Sequence, residues 1–342
     1  MRSSRLYSVV LFVATLFVAW GCDVHEWPHP SDTVPLRLRL DCQTEMTRWE
    51  HTYAKGEVRE LSLGDAVPSE RESGEMRYVV RAFAADNSRS SDREAVAEFI
   101  FTKSMTDGYH HEETILLPPG NYNIAVWADM RGTTDDNTYY NIENFASISH
   151  EGDYRACDDY RDAFRGRGSV SLVADIYDRA PDTLDVSLMR PLAKFEMVTT
   201  DIVEFVEKEI KRASATRTIR VEDYEVRFYY VGYAPISYNH FADQPANAVT
   251  GLLFSSSLSL LNEHEASLGF DYLFTYDYDT TIAVQVGLYN KQGKQLSLTE
   301  PIDVPLRRSH HTVLRGEFLL SEAAGGVVVN PDFEGDHNIV IP

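Results

Sequence analysis

The sequence predicts an all-β protein built from two antiparallel β-sandwich domains, with one amphipathic helix in the second. Three observations predict it. The chain has 342 residues, enough for roughly two domains of about 150 residues, each able to bury its own core. Tyrosine, at 19 residues, outnumbers phenylalanine at 16 and tryptophan at 4, and it accompanies many Val and Thr residues. These types suit a pleated, half-buried surface. Finally, apolar residues alternate with polar ones in segment after segment, without the βαβ rhythm of a parallel sheet.

Val34 to Leu40 sets Leu36, Leu38 and Leu40 against Arg37 and Arg39, a half-buried strand. Tyr78 to Ala84 and Ala95 to Phe101 repeat the pattern. A Pro118-Pro119-Gly120 turn leads into Asn121 to Ala128, with Tyr122, Ile124, Val126 and Ala128 on one face. Residues 130–168 read as loops, punctuated by Asp135-Asp136-Asn137 and Gly166-Arg167-Gly168. Leu184 to Phe195 is apolar but carries Pro191, which suits an edge or a crossover between domains. One helix is expected after Asp201, which forms a capping box with Glu204; Ile202, Val203, Val206 and Ile210 share its face. Glu204 with Lys208 and Glu207 with Lys211 support it at i,i+4. Strands follow at Val221 to Val231 and Thr281 to Tyr289, then a hairpin through Asn290-Lys291-Gln292-Gly293 into Lys294 to Leu298. Val313 to Leu320 and Gly326 to Val329 complete the pattern. The domains are expected at 35–189 and 190–342.

The amino terminus reads as an address. Arg2 and Arg5 precede an apolar run from Leu6 to Trp20, too short to span a bilayer and suited to an export signal over residues 1–21. Ala19-Trp20-Gly21-Cys22 looks like a bacterial lipobox, so Cys22 is the expected lipidation site, with residues 22–34 as the tether. A plain secreted protein is the alternative. The net charge of −21 argues against a nucleic-acid partner, because phosphates would be repelled before any groove was read. Losing residues 1–21 removes two arginines and no acids, leaving −23. Cys42 and Cys157 then remain as a candidate disulfide or as two buried free thiols.

No catalytic pattern stands out. His25-Glu26-Trp27-Pro28-His29 spells H-E-x-x-H, but Pro28 inside the motif breaks the helix it requires, so a spacer is expected. The adjacent pairs His110-His111 and His310-His311 point to opposite sides of a strand and do not converge on a metal. Asp332, Glu334, Asp336 and Asn338 resemble a calcium loop without its glycine in place, and a solvated turn is expected. Tyr272, Tyr276 and Tyr278 with Asp271, Asp277 and Asp279 suit either a carbohydrate-binding surface or a strand with one wet face. Nucleophile elbows and glycine-rich phosphate loops are missing. The expectation is a non-enzyme with no cofactor and no metal.

Several segments carry a resemblance. The first is Cys22-Asp23-Val24-His25-Glu26-Trp27-Pro28. The turn Leu116-Leu117-Pro118-Pro119-Gly120-Asn121-Tyr122, with Val126-Trp127-Ala128-Asp129 after it, is the second, and Tyr160-Arg161-Asp162-Ala163-Phe164 the third. Arg190-Pro191-Leu192-Ala193-Lys194-Phe195 and Phe333-Glu334-Gly335-Asp336-His337-Asn338 are two more. In this order they resemble the FimB/Mfa-like fimbrillin family, the fimbrial subunit lipoproteins of Bacteroides-type bacteria. The resemblance implies two transthyretin-like β-sandwich domains and no catalytic residues. It implies an anchor, accessory or structural subunit of a fimbrium (pilus) at the outer membrane and cell surface, assembling by β-strand exchange with other fimbrial subunits. Polymerising members lose a first strand to an arginine- or lysine-specific protease, which makes Arg48 and Arg59 candidate maturation sites here. The alternative is a surface lipoprotein that binds a host protein or glycan ligand without polymerising.

Overall fold

The computed structural model describes residues 32–54, 56–68, 74–85, 94–131, 138–174, 180–212 and 220–320. The strands before the helix are β1 (Val34–Cys42), β2 (Glu45–Ala54), β3 (Glu57–Pro68), β4 (Glu75–Ala84), β5 (Ala97–Ser104), β6 (His110–Leu117), β7 (Gly120–Arg131), β8 (Ala163–Leu172), β9 (Asp182–Leu188) and, just past Pro191, β10 (Leu192–Thr199). Helix α1 (Ile202–Arg212) follows, then β11 (Tyr224–Val231), β12 (Leu253–Ser257), β13 (Ala266–Phe274), β14 (Thr280–Asn290), β15 (Gln295–Leu298), β16 (Ile302–Leu306) and β17 (His310–Gly316). Shorter two- and three-residue strands are left unnumbered. The all-β architecture with a helix in the second half is as the alternation predicts.

The first sandwich packs the sheet β9-β1-β6 against the sheet β8-β7-β4-β5. Leu36, Leu38 and Leu40 of β1 meet Tyr78 and Val80 of β4 and Ile124 and Val126 of β7 in one core. In the second sandwich, β13-β10-β17 faces β12-β11-β14, with β15 and β16 both paired to β14. Phe195, Phe228, Val284 and Leu314 lie at its centre.

The two sandwiches repeat one topology. β1 runs antiparallel to β6 and parallel to the last strand of its sandwich, β9. β10 runs antiparallel to β13 and parallel to the last strand, β17. Each half therefore closes by laying its final strand beside its first.

The halves also lend pieces to one another. The β2–β3 hairpin leaves the first half and pairs β2 alongside β17, extending the second sandwich's sheet. That covers an edge which would otherwise present unpaired N–H and C=O groups. In return, Ser237–Asn239 of the second half pairs with Ile148–His150 of the first. Between the sandwiches lies a third core, in which Val79 and Trp127 from β4 and β7 meet Leu192, Tyr238, Tyr272 and Phe274.

Three local features depart from the sequence reading. Gly166 and Gly168 do not mark a turn; they lie within β8. A Cβ at Gly166 would come 2.5 Å from Leu188 Cδ2, and one at Gly168 would come 2.9 Å from Leu184 Cδ1. Glycine thus lets β8 and β9 close one side of the first sandwich, a use of strand glycine that looks like loop punctuation in sequence. On α1, the buried residues are Ile202 and Phe205, while Val203 and Ile210 are exposed. The helix is rotated because Phe205 seats its ring edge-on against Tyr224, at 5.0 Å between centroids. The Asp201 carboxylate accepts from Thr199 Oγ1 and from the backbone N–H groups of Leu319 and Leu320. It tethers the segment after β17, which is why that strand ends at Gly316 and Leu319 and Leu320 leave the sheet.

Candidate functional site

Strand β1 is the first strand of the described residues, and it occupies the middle of its sheet. Leu36 to Cys42 pair with Asp182 to Leu188 of β9, and Val34 to Asp41 pair with Leu117 to His110 of β6. Its three leucines are fully buried. Withdrawing β1 would leave two facing strands with unpaired backbone groups and an apolar slot between them. Outside, Arg37 and Arg39 reach Glu112 at 3.4 and 3.3 Å. Such exposed pairs contribute only about 0–1 kcal/mol each, so side-chain charge does not hold the strand. β10 fills the equivalent place in the second sandwich.

The second feature is the junction. Tyr160-Arg161-Asp162 and Arg190, from two of the segments that carry the family resemblance, converge there. Arg190 is buried and bidentate on Asp162, at 2.6 and 2.7 Å, and its remaining N–H groups reach the carbonyls of Thr44 and Glu45 at 3.0 and 3.2 Å. Arg161, equally buried, crosses to Asp271 of β13 and bonds the Tyr272 carbonyl at 3.1 Å. The hydroxyls of Tyr154 and Tyr230 also donate to Asp271. Burial opposes the Arg161 charge, but Asp271 and the surrounding tyrosines hold its pKa above the ordinary value. Burial pushes the Asp271 carboxyl up, against the pull of Arg161 and the two hydroxyls. A third pair, Arg77 with Asp129, is buried on the outer face of β4 and β7, where Trp127 Nε1 donates to the same carboxylate at 3.1 Å. Arg161 with Asp271 and Arg190 with Asp162 join the two halves, whereas Arg77 with Asp129 ties β4 to β7 within the first.

His240 lies in the same junction, fully buried, with Nε2 3.0 Å from the Val126 carbonyl and its ring stacked on Phe145. Burial lowers its pKa to about 3, despite the Val126 carbonyl. Unfolding therefore takes up a proton below the ordinary histidine pKa of about 6.5, and stability rises with pH between about 3 and 6.5. The expected slope is up to about 1.4 kcal/mol per pH unit from this residue. His240→Gln, which keeps a donor for Val126, should flatten that part of the curve in urea titrations run at a series of pH values. An unchanged slope would show that His240 is not buried as the neutral imidazole.

The residues singled out in sequence are dispersed. Cys22, the H-E-x-x-H segment, the Asp135-Asp136-Asn137 stretch and everything from Gly326 onward, including the Asp332 to Asn338 stretch, lie outside the described residues. Cys42 and Cys157 are free thiols. The disulfide alternative is corrected by their placement: Cys42 is in the first sandwich's core, while Cys157 packs on the second's and bonds the Phe270 carbonyl. Arg48 sits at a bulge of β2, paired to Glu50 at 2.5 Å, with β17 and β3 on either side. Arg59 lies on β3, the sheet's edge strand, and pairs with Glu57. Asp271 and Tyr272 are buried in the junction, whereas Tyr276 and Tyr278 stack on each other at 4.8 Å with Tyr278 exposed, so the six residues do not make one surface. His111 stacks on Tyr78, and His311 contacts Glu196 at 3.3 Å. Among the described residues no group of three or more His, Cys, Asp or Glu side chains could hold a metal ion. No described helix is long and apolar enough to cross a membrane.

Sequence reasoning missed Arg165, Asp243 and Arg308. Asp243 takes Arg165 at 2.8 Å and Arg308 at 3.1 Å, and receives the Tyr238 hydroxyl. Burial raises its pKa, but Tyr238, Arg165, Arg308 and Arg167 together bring it below the ordinary value. Its positive φ of 59° places it in a left-handed turn, where Asp is tolerated.

The geometry defines a class: an all-β protein of two interlocked sandwiches whose strand β1 completes a sheet from within. Residues 30–342 match a family of unknown function, DUF6562, and the chain belongs to that family. No curated protein matches it. Solved structures similar to it include a candidate cell adhesion protein from Bacteroides eggerthii, 12% identical with a TM-score of 0.44, the match covering 87% of this chain and 90% of that one. The fimbrial anchor protein Mfa2 from Porphyromonas gingivalis is 13% identical, with a TM-score of 0.37 and coverage of 78% and 82%. The tip fimbrial protein Mfa3 from the same organism, truncated at its carboxyl end, is 12% identical, with a TM-score of 0.36 and coverage of 80% and 81%.

Proposed function

We propose that this protein is a surface lipoprotein of the fimbrial type, held to the outer membrane through Cys22. It serves as an anchor or accessory subunit while β1 remains in place. A structural role in the stalk would follow loss of β1 and its replacement by a strand from another subunit. The observation that supports this reading is the position of β1: early in the chain, central in its sheet, and paired on both sides. A replacement strand would recover both rows of backbone hydrogen bonds and seat apolar side chains where Leu36, Leu38 and Leu40 now lie. Arg59, on an edge strand, is the more accessible of the two candidate cleavage sites; cutting at Arg48 would first require opening the sheet.

The test uses a soluble Cys22→Ala chain, cut by limited arginine-specific proteolysis and mixed with a peptide of residues 326–342, whose apolar Ile339-Val340-Ile341 suits a donor strand, or separately with purified sister subunits. The expected result is a stable complex by size-exclusion chromatography, with faster amide exchange in Val34–Cys42. If no peptide or subunit binds, strand exchange is wrong and the non-polymerising binding lipoprotein becomes the better reading.

A further inference from the structure

On the outer face of the first sandwich, at the rim of the junction, a cleft of about 420 Å³ opens over β7 and β8. Its size falls within the roughly 300–1,000 Å³ of small-ligand pockets. Phe83 and Phe241 form one wall, their rings edge to face at 5.3 Å. Asn123 is the cross-strand neighbour of both Phe83 and Ser169 and accepts the Ser169 hydroxyl at 3.0 Å. Arg167 also lines the cleft, and it has no ion pair or hydrogen bond with any described residue.

Charge makes this position unusual. The chain as a whole is at −21, so a free cation in a cleft is the exception. Arg165 and Arg308 both spend their charge on Asp243, so three guanidinium groups are gathered around one carboxylate. The excess positive charge is left on Arg167. A guanidinium presents a planar fork of donors that matches carboxylate and sulfate oxygens. Beside it stand an aromatic wall, suited to an apolar ring face, and an amide and hydroxyl, suited to hydroxyl groups.

We propose that this cleft binds an acidic sugar unit, with its carboxylate or sulfate on Arg167, its ring against Phe241 and its hydroxyls on Asn123 and Ser169. Each component matches a different part of such a ligand: anion, ring and hydroxyls. A simple anion would use only the arginine, and a neutral sugar would leave it unused. The site is separate from the β1 slot, so it does not depend on strand exchange.

The test is calorimetric titration of the soluble Cys22→Ala chain with methyl β-D-glucuronide, glucose 6-sulfate, methyl β-D-glucoside, sodium acetate and N-acetylglutamate amide. Saturable binding of at least one acidic sugar is expected; whether glucuronide or sulfate binds better identifies the anion. The neutral glucoside and acetate should each bind at least tenfold more weakly. Arg167→Met, a change at an exposed side chain, should weaken acidic-sugar binding about tenfold and leave the melting temperature unchanged. Phe241→Leu should weaken it while preserving the discrimination against the glucoside. The proposal is overturned if neither acidic sugar saturates the protein, if the glucoside binds equally well, or if Arg167→Met has no effect. Tighter binding of N-acetylglutamate amide would assign the cleft to acidic peptides instead and overturn the sugar.

Discussion

Replacing Arg161 with methionine is expected to lower the unfolding free energy by about 3–5 kcal/mol, the largest effect of any single substitution at the junction. The loss would come less from the attraction removed than from what remains. Asp271 would stay fully buried without its counter-charge, supported only by the Tyr154 and Tyr230 hydroxyls and the Tyr272 N–H. The Tyr272 carbonyl would lose its donor as well. The double variant Arg161→Met/Asp271→Leu removes both charges and should recover much of the loss, since well-packed apolar replacements of buried pairs are often neutral. Urea unfolding of the wild type, the two single variants and the double variant gives the coupling directly. A cost below about 1 kcal/mol for Arg161→Met would mean that the pair is hydrated and does not clamp the halves together.

The same experiment addresses how the halves depend on each other. Arg161 belongs to the first half and Asp271 to the second, β2 pairs with β17, and Ser237–Asn239 pairs with Ile148–His150. With a shared core as well, wild-type unfolding should be one transition seen alike by fluorescence and far-UV dichroism.

How much of this is visible in sequence depends on the range of the interaction. Leu36, Leu38 and Leu40, or Val226, Phe228 and Tyr230, announce their strands because the period of two is local. The Asn290 to Gly293 hairpin is equally local: Asn290 Oδ1 accepts from the N–H groups of Gln292 and Lys294, and Gly293 supplies φ +73°. Gly166 and Gly168 mislead because their purpose lies on another strand, β9, and is invisible in the flanking residues. The alternation in α1 misplaces its face for a similar reason, since Tyr224 selects Phe205. Tyr160 to Phe164 and Arg190 to Phe195 stand out as family-like segments, yet nothing near them reveals that Arg161 meets Asp271, 110 residues away. The cleft is less legible still. Asn123, Arg167 and Phe241 come from three separate segments, and Arg167 is noteworthy only once Arg165 and Arg308 are seen to share Asp243.

Locking β1 in place should abolish strand exchange without harming the fold. Arg37 on β1 lies opposite Thr114 on β6. Antiparallel neighbours have Cα atoms about 4.5–5.5 Å apart, within disulfide range. Both side chains are on the outward face, so Arg37→Cys with Thr114→Cys leaves the leucine side untouched and sacrifices only the Arg37–Glu112 pair. Cys42 is buried and its thiol pKa is raised by that burial, so it does not compete for the new bridge. Closing a loop of this length should stabilise the protein by about 4 kcal/mol. Oxidised, the variant should neither bind peptide 326–342 nor join sister subunits; reduced, it should do both as the parent does. The oxidised and reduced forms share one sequence, so a difference between them isolates the movement of β1 from any effect of the substitutions. If the oxidised form assembles as well as the reduced form, β1 does not leave its sheet and the exchange site must lie elsewhere. If neither form assembles while the parent does, the outward face of β1 and β6 is itself the contact surface, and displacement of β1 is again the wrong mechanism.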